Sequence, residues 1–324
     1  MITIIILLSI LVIIILFISI LLITRKKYMK LFNYHFYKDP LVTYYSEEEY
    51  NLLSESIKIK YDDKNNLDGK IFYLDNYDPK KLIIYSHGML SNYNAYMQEI
   101  GLLCQNGFKV LAYNYYGVET SDGNTMQGFG NSLICLDKII NYIKSNKDLS
   151  KLDLYCIGHS WGAYATLNIV KYYSDIKGLI AIAPPLGVRN FVSNKLLLPF
   201  IYINEFINTG KYGISNSLKS LKKYDGKVLI IHSTNDPIIN FNNSTKLLKD
   251  TYSNKSNFKF IIVDDKFHNP EYKKESVDLL MSYASKLNEL SKEEQEKLKK
   301  NTDFHKLGEV DLDIYQEIIK YINE

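Results

Sequence analysis

Paired cysteines are missing from this sequence. Cys104, Cys135 and Cys156 are the only three in 324 residues. An odd number without short repeated spacings encodes neither a disulfide framework nor a metal signature. Each lies in an apolar stretch, predicted as helix, helix and strand, with no basic neighbour in sequence to activate a thiolate, so buried thiols are expected rather than a nucleophile. A surplus of charge is missing too. Lys and Arg total 39 against 36 Asp and Glu, a formal charge of +3, too balanced for a nucleic-acid surface. There is no internal repeat, and no low-complexity tract beyond one apolar run. The many Lys, Asn, Ile and Tyr residues carry no functional reading. What remains is a chain long enough for one large α/β domain or two small ones, with a substantial core.

The apolar run is Ile2 to Ile23, interrupted only by Thr3, Ser9 and Ser19. It is long enough to cross a hydrocarbon layer of about 30 Å as a helix. A cleaved signal peptide is the competing reading. It is disfavoured because no basic region precedes the run and no small-residue cleavage pattern follows it. Arg25, Lys26 and Lys27 come next instead. The expectation is a single-pass cell-membrane protein, with residues 1–24 as the transmembrane helix. The positive charge after the span places the rest of the chain in the cytoplasm. Residues 25–55 are a juxtamembrane segment rich in tyrosine and phenylalanine. Two readings of these aromatics stand open, a headgroup-level belt and packing on the following domain. His35 here is expected to be structural.

The most informative stretch is Leu152 to Tyr164, LDLYCIGHSWGAY. An apolar strand breaks at Gly158-His159-Ser160-Trp161-Gly162 and continues as a helix. GxSxG between strand and helix has a mechanical logic. The serine occupies a strained turn, and glycine is needed on either side because a side chain there would collide with the strand or the helix. Ser160 is the candidate nucleophile. The backbone N–H of Trp161, at a helix N-terminus, is a candidate oxyanion donor. A chance pentapeptide is the plain alternative, opposed by the strand before it and the helix after it.

Around this elbow, strands and helices alternate. Ser56 to Tyr61 and Lys70 to Leu74 read as an antiparallel hairpin across polar DDKNNLDG. Buried strands follow at Lys81 to Tyr85, Lys109 to Tyr113, Leu179 to Ala183, Lys227 to Ile231 and Phe258 to Val263. Helical patterns occupy Asn92 to Cys104 and Met126 to Ile143. This alternation predicts a mostly parallel sheet with right-handed crossovers. Residues 186–223 break the pattern and read as a cap, in which Leu196 to Ile203 either line an acyl pocket or form the cap's own core. After residue 290 come a charged stretch and then Val310, Ile314, Ile318 and Ile322, four residues apart, as an amphipathic helix packed on the domain. Residues 291–324 are thus a C-terminal helical extension.

Residues 56–290 resemble the serine α/β-hydrolase superfamily, in particular its membrane-anchored esterase, monoacylglycerol-lipase and serine-aminopeptidase-like members. The resemblance rests on GHSWG, on Ser86-His87-Gly88-Met89 after the third strand, on IIHSTNDPII ending the next-to-last strand, and on DDKFHNP after the last. It implies an α/β-hydrolase fold with an eight-stranded, mostly parallel sheet flanked by helices. It implies a triad of Ser160, Asp236 and His268, with the N–H groups of Met89 and Trp161 as the oxyanion hole. His159 and His305 compete with His268, which is preferred on position and on the chain order Ser…Asp…His. Asp236 also has a plain role available, capping the turn at Asp-Pro. His87 is expected as a packed histidine that shapes the loop. Asn114 and Tyr116 stand where many relatives carry an aspartate and an arginine, so no charge role transfers there. A serine at the elbow excludes the aspartate-based chemistry of dehalogenases and epoxide hydrolases. The implied activity is hydrolysis of a lipid or small carboxylic ester through an acyl-enzyme, without metal or organic cofactor. The alternatives are a serine aminopeptidase-like peptidase and a silent membrane-tethered scaffold. Substrate identity, acyl length and oligomeric state are left open.

Overall fold

The structure is a computed structural model and describes residues 1–75, 77–192 and 194–324. Eight strands form one sheet: β1 (Leu53–Lys60), β2 (Asn66–Tyr73), β3 (Lys81–Ser86), β4 (Lys109–Tyr113), β5 (Asp153–His159), β6 (Gly178–Ile182), β7 (Lys227–Ser233) and β8 (Phe258–Val263). Their spatial order is β1-β2-β4-β3-β5-β6-β7-β8. β1 and β2 pair antiparallel, as do β2 and β4; every other pair is parallel. The hairpin predicted at Ser56 begins three residues earlier, at Leu53. The first part of β1 is exposed, so it gave no burial alternation to read.

The central strands are apolar on both faces because both faces are covered. Leu82 and Ile84 of β3 and Cys156 of β5 point into one core, together with Leu133, Leu136 and Ile140 of helix α3 (Asn131–Ser145) and with Trp161, Ala165 and Leu167 of α4 (Trp161–Asn168). Ile83, Tyr85 and Ile157 point the other way, towards Ile100 and Leu103 of α2 (Met97–Gln105) and towards the C-terminal helix Leu312–Asn323. Tyr315, Ile318 and Ile322 of that last helix are buried on the sheet.

Two helices start later than their apolar periodicity suggests. The stretch from Asn92 opens with a 3-10 turn, Tyr93–Tyr96, before α2. The stretch from Met126 stays non-helical until Asn131. There Gln127 stands at φ 59°, outside helical geometry, and the N–H groups of Phe129 and Gly130 donate to the Glu205 carboxylate of the cap at 2.8 and 3.1 Å. All three cysteines are buried. Burial pushes the Cys104 and Cys135 thiols up to about 12 and raises Cys156 as well, which keeps them protonated.

The N-terminal helix α1 (Ile2–Met29) is long and apolar enough to cross a membrane, and its apolar window is exposed throughout. It outruns the predicted span by five residues. Of the juxtamembrane aromatics, Tyr28 and Phe32 pack on the domain, both buried, with the Phe32 ring 6.1 Å from Trp161, whereas Tyr34 and Tyr37 are exposed. His35 is structural, its ring nitrogens 2.6 and 2.8 Å from the carbonyls of Gly123 and Glu119. Cap helix α5 (Leu198–Thr209) lies against α1.

Candidate active site

The turn between β5 and α4 holds Ser160 at φ 53°, ψ −113°, a left-handed conformation that costs a non-glycine residue energy. Both flanking glycines are sterically required. A Cβ on Gly162 would stand 2.0 Å from the carbonyl oxygen of Ser86, and one on Gly158 would meet the carbonyl of Gly162 at 2.4 Å. The end of β3 is thereby pressed against the elbow. The Ser160 N–H is fixed by the Ile182 carbonyl at 2.8 Å.

Three side chains from distant parts of the chain meet here. The Ser160 Oγ lies 2.9 Å from His268 Nε2, and His268 Nδ1 lies 2.7 Å from Asp236 Oδ2. Asp236 sits just after β7 and His268 just after β8, which are adjacent parallel strands. The shared carboxyl end of the sheet is therefore what brings them together. Because a carboxylate only accepts, Nδ1–H donates to Asp236 and Nε2 is left to accept the serine O–H. Backbone strain recurs at Asp265 and Phe267, both at positive φ in the loop that carries His268.

The Asp236 carboxylate has no exposed surface, and its donors compensate. Ile238 and Ile239 donate backbone N–H groups to Oδ1 at 2.8 and 2.9 Å, so the aspartate also caps its own turn. His232 Nε2 donates to Oδ2 at 3.0 Å, while its Nδ1 accepts from the Thr245 hydroxyl at 2.7 Å. Burial opposes ionisation of Asp236, but the bonds from His232 and His268 outweigh it and hold the carboxyl far below the usual carboxylate range. For His268 burial wins: it lowers the imidazole pKa against the raising effect of Asp236.

A second chain of bonds runs behind the first. The Gly88 N–H donates to Tyr96 Oη at 3.0 Å, that hydroxyl donates to His159 Nδ1 at 2.9 Å, and His159 Nε2–H donates to the His268 carbonyl at 2.9 Å. The carbonyl at one end fixes every direction in the chain. His159 thus does not point clear of the site, as its place in the elbow suggests. Its ring centroid is 4.9 Å from that of His268, and its bonds go to the loop backbone rather than to Ser160. Glu271 stands behind it, 3.8 Å from Nε2 and fully buried, its carboxyl pushed up by burial.

Met89 follows Gly88 in the loop tied by this chain, and Trp161 is the first residue of α4, with its N–H among the helix's orphan donors. The Trp161 indole donates to the Phe129 carbonyl at 2.6 Å. His87 is packed and fully buried, its pKa pushed down to about 3 by that burial. His305 is elsewhere, stacked on Tyr45 at 4.0 Å. A cavity of about 410 Å³ opens behind Leu90 and Asn269, each next in sequence to a site residue, and is lined by Tyr44, Tyr45, Tyr272 and Tyr283. Sequence reasoning assigned nothing to His232, Tyr96 or Glu205. For His232 a signal existed, its place at the strand end four residues before Asp236.

Comparison with known proteins bears on the fold. The family model described as serine aminopeptidase, S33 matches residues 77–209, which hold β3 to β6 and the elbow but neither Asp236 nor His268. Among curated proteins, an uncharacterized protein of Rickettsia prowazekii (strain Madrid E) is 27% identical over 128 residues, covering 37% of this chain and 51% of its own length. An uncharacterized protein of Acanthamoeba polyphaga mimivirus is 26% identical over 209 residues, covering 60% and 69%. The chain thus spans about half the length of the first of these relatives. Among solved structures, an esterase of Pyrococcus furiosus superposes with a TM-score of 0.57 at 18% identity, over 79% of this chain and 97% of that one. A Butyrivibrio proteoclasticus protein with ferulic acid bound gives 0.53 at 18%, over 72% and 97%. The fold is the α/β-hydrolase fold, and the matches support a hydrolase of the α/β type.

Proposed function

We propose that this α/β-type hydrolase is a membrane-anchored serine esterase that cleaves a lipid or small carboxylic ester through an acyl-enzyme. One observation carries the reading: a strained serine hydroxyl 2.9 Å from an imidazole whose other nitrogen is 2.7 Å from a buried carboxylate. A serine hydroxyl is a poor nucleophile at neutral pH without a base in hydrogen-bond reach. In the proposed sequence, Ser160 Oγ attacks the ester carbonyl carbon as its proton passes to His268 Nε2. Asp236 holds the tautomer and stabilises the imidazolium. The N–H groups of Met89 and Trp161 receive the oxyanion, where one donor is worth about 3 kcal/mol of barrier. His268 then protonates the departing alkoxide, and water, deprotonated by the same nitrogen, releases the acid.

Esters are preferred because the exposed apolar α1 would hold the domain at a bilayer, and because the cap segment Leu196 to Ile203 is apolar. The basic residues after the span favour a cytoplasmic domain. A peptidase is the second reading, favoured by the description of the family model. Chain-length-graded p-nitrophenyl esters, run against aminoacyl amides, separate the two: ester turnover with inert amides is expected, and the reverse order overturns the ester assignment. Absence of both activities, with no fluorophosphonate labelling of folded protein, would leave a scaffold.

A further inference from the structure

We infer that the N-terminal end of cap helix α5 is itself immersed in the bilayer beside α1, docked on lipid hydrocarbon; this rests on reading α1 as a membrane span. Contacts between the two helices fix the depth. The Phe200 ring lies 5.1 Å from that of Phe17. Asn204 Nδ2 reaches the Leu21 carbonyl and Thr24 Oγ1, both at 3.4 Å, and the Tyr28 hydroxyl donates to Glu205 at 2.5 Å. Residues 17, 21, 24 and 28 thus meet 200, 204 and 205 in the same order. The helices run parallel, and the N-terminal turn of α5 lies towards the middle of α1. Phe17 precedes Ile23, the last residue of the apolar run, by six positions. At 1.5 Å per residue that is about 9 Å inside the layer. A ring in contact with Phe17 shares that depth, which agrees with the roughly 5–10 Å at which interfacial helices sit.

The surface of the cap suits this environment. Leu196, just before α5, is 83% exposed, an apolar side chain that water disfavours. Several polar groups that lipid would leave unsatisfied have partners, although the Asn204 Oδ1 has none. The Asn204 amide turns onto α1, the Leu196 N–H donates to the Asn194 side chain at 3.1 Å, and Pro199, at the start of α5, has no N–H to lose. A soluble partner or a second copy fits less well, because either would have to displace the lipid surrounding Phe17.

The test uses the full-length protein in phosphatidylcholine vesicles. Bimane is attached to a single cysteine introduced at Val12, Leu196 or Lys320, the native thiols being buried. Lipids brominated on their acyl chains serve as the quencher. Strong quenching at Val12 and Leu196, with Lys320 unaffected, is expected. Quenching at Val12 without quenching at Leu196 overturns the immersed cap and leaves the anchor standing. No quenching at Val12 overturns the anchor, and the immersed cap with it.

Discussion

At the scale of single residues, the site is two hydrogen-bond chains that share His268. One runs from Ser160 to Asp236 and on to His232; the other runs from Gly88 through Tyr96 and His159 to the His268 carbonyl. The first sets protonation. In the proposed mechanism a neutral His268 accepts the serine proton, and burial lowers its pKa. Activity therefore rises with pH through a midpoint below the ordinary imidazole value of about 6.5. The acid limb of kcat/KM for a soluble ester measures this, and a midpoint at or above about 7 contradicts it. The second chain sets position. Tyr96→Phe removes the link between the Gly88 loop and the base, with an expected loss of kcat of roughly 10- to 100-fold and little change in KM. Steady-state kinetics on a folded variant decides, since a stability defect alone would leave kcat per active site unchanged. Ser160, Asp236 and His268 were legible in the sequence because each sits in a short motif at a strand end, where local residues dictate the turn. Tyr96 and Glu205 were not, because their roles depend on partners 63 and 177 residues away.

Among the elements, a buried carboxylate is one of the ties between the cap and the rest of the fold. Glu205 accepts from the Tyr28 hydroxyl, the Phe129 and Gly130 N–H groups and the Thr209 hydroxyl. It thus joins α1, α5 and the turn before α3, and the Phe129 carbonyl in turn receives the Trp161 indole. Glu205→Ala strands those donors in a buried site, where each donor left unsatisfied costs about 1–3 kcal/mol. Glu205→Gln keeps an acceptor oxygen and is expected to cost less. Thermal denaturation of the two variants checks the order, and equal losses would contradict it. The start of α3 was misplaced from sequence because the apolar periodicity runs on through residues 126–130, whereas Gln127 takes a positive φ that a helix does not accommodate. The open choice for the juxtamembrane aromatics has a similar origin, since tyrosine suits a headgroup layer and a core alike. Only the contacts of Tyr28 and Phe32 distinguish the two.

For the whole molecule, one sheet organises everything outside α1. Helices α3 and α4 cover one face, and α2 with the C-terminal helix covers the other, so the 312–323 segment is part of the core that supports β3 and β5. The alternation of strand and helix made this architecture readable in advance, while the seating of α5 on α1 was not, because neither periodicity reports which faces meet. The central claim is that the carboxyl end of this sheet assembles a nucleophilic serine. Intact-mass and peptide analysis of the protein quenched during turnover of a slow p-nitrophenyl ester tests it most directly. An acyl adduct on the peptide containing Ser160, absent in a folded Ser160→Ala variant, is the expected result. Turnover with no adduct on that peptide, or an adduct that survives in Ser160→Ala, would contradict the account.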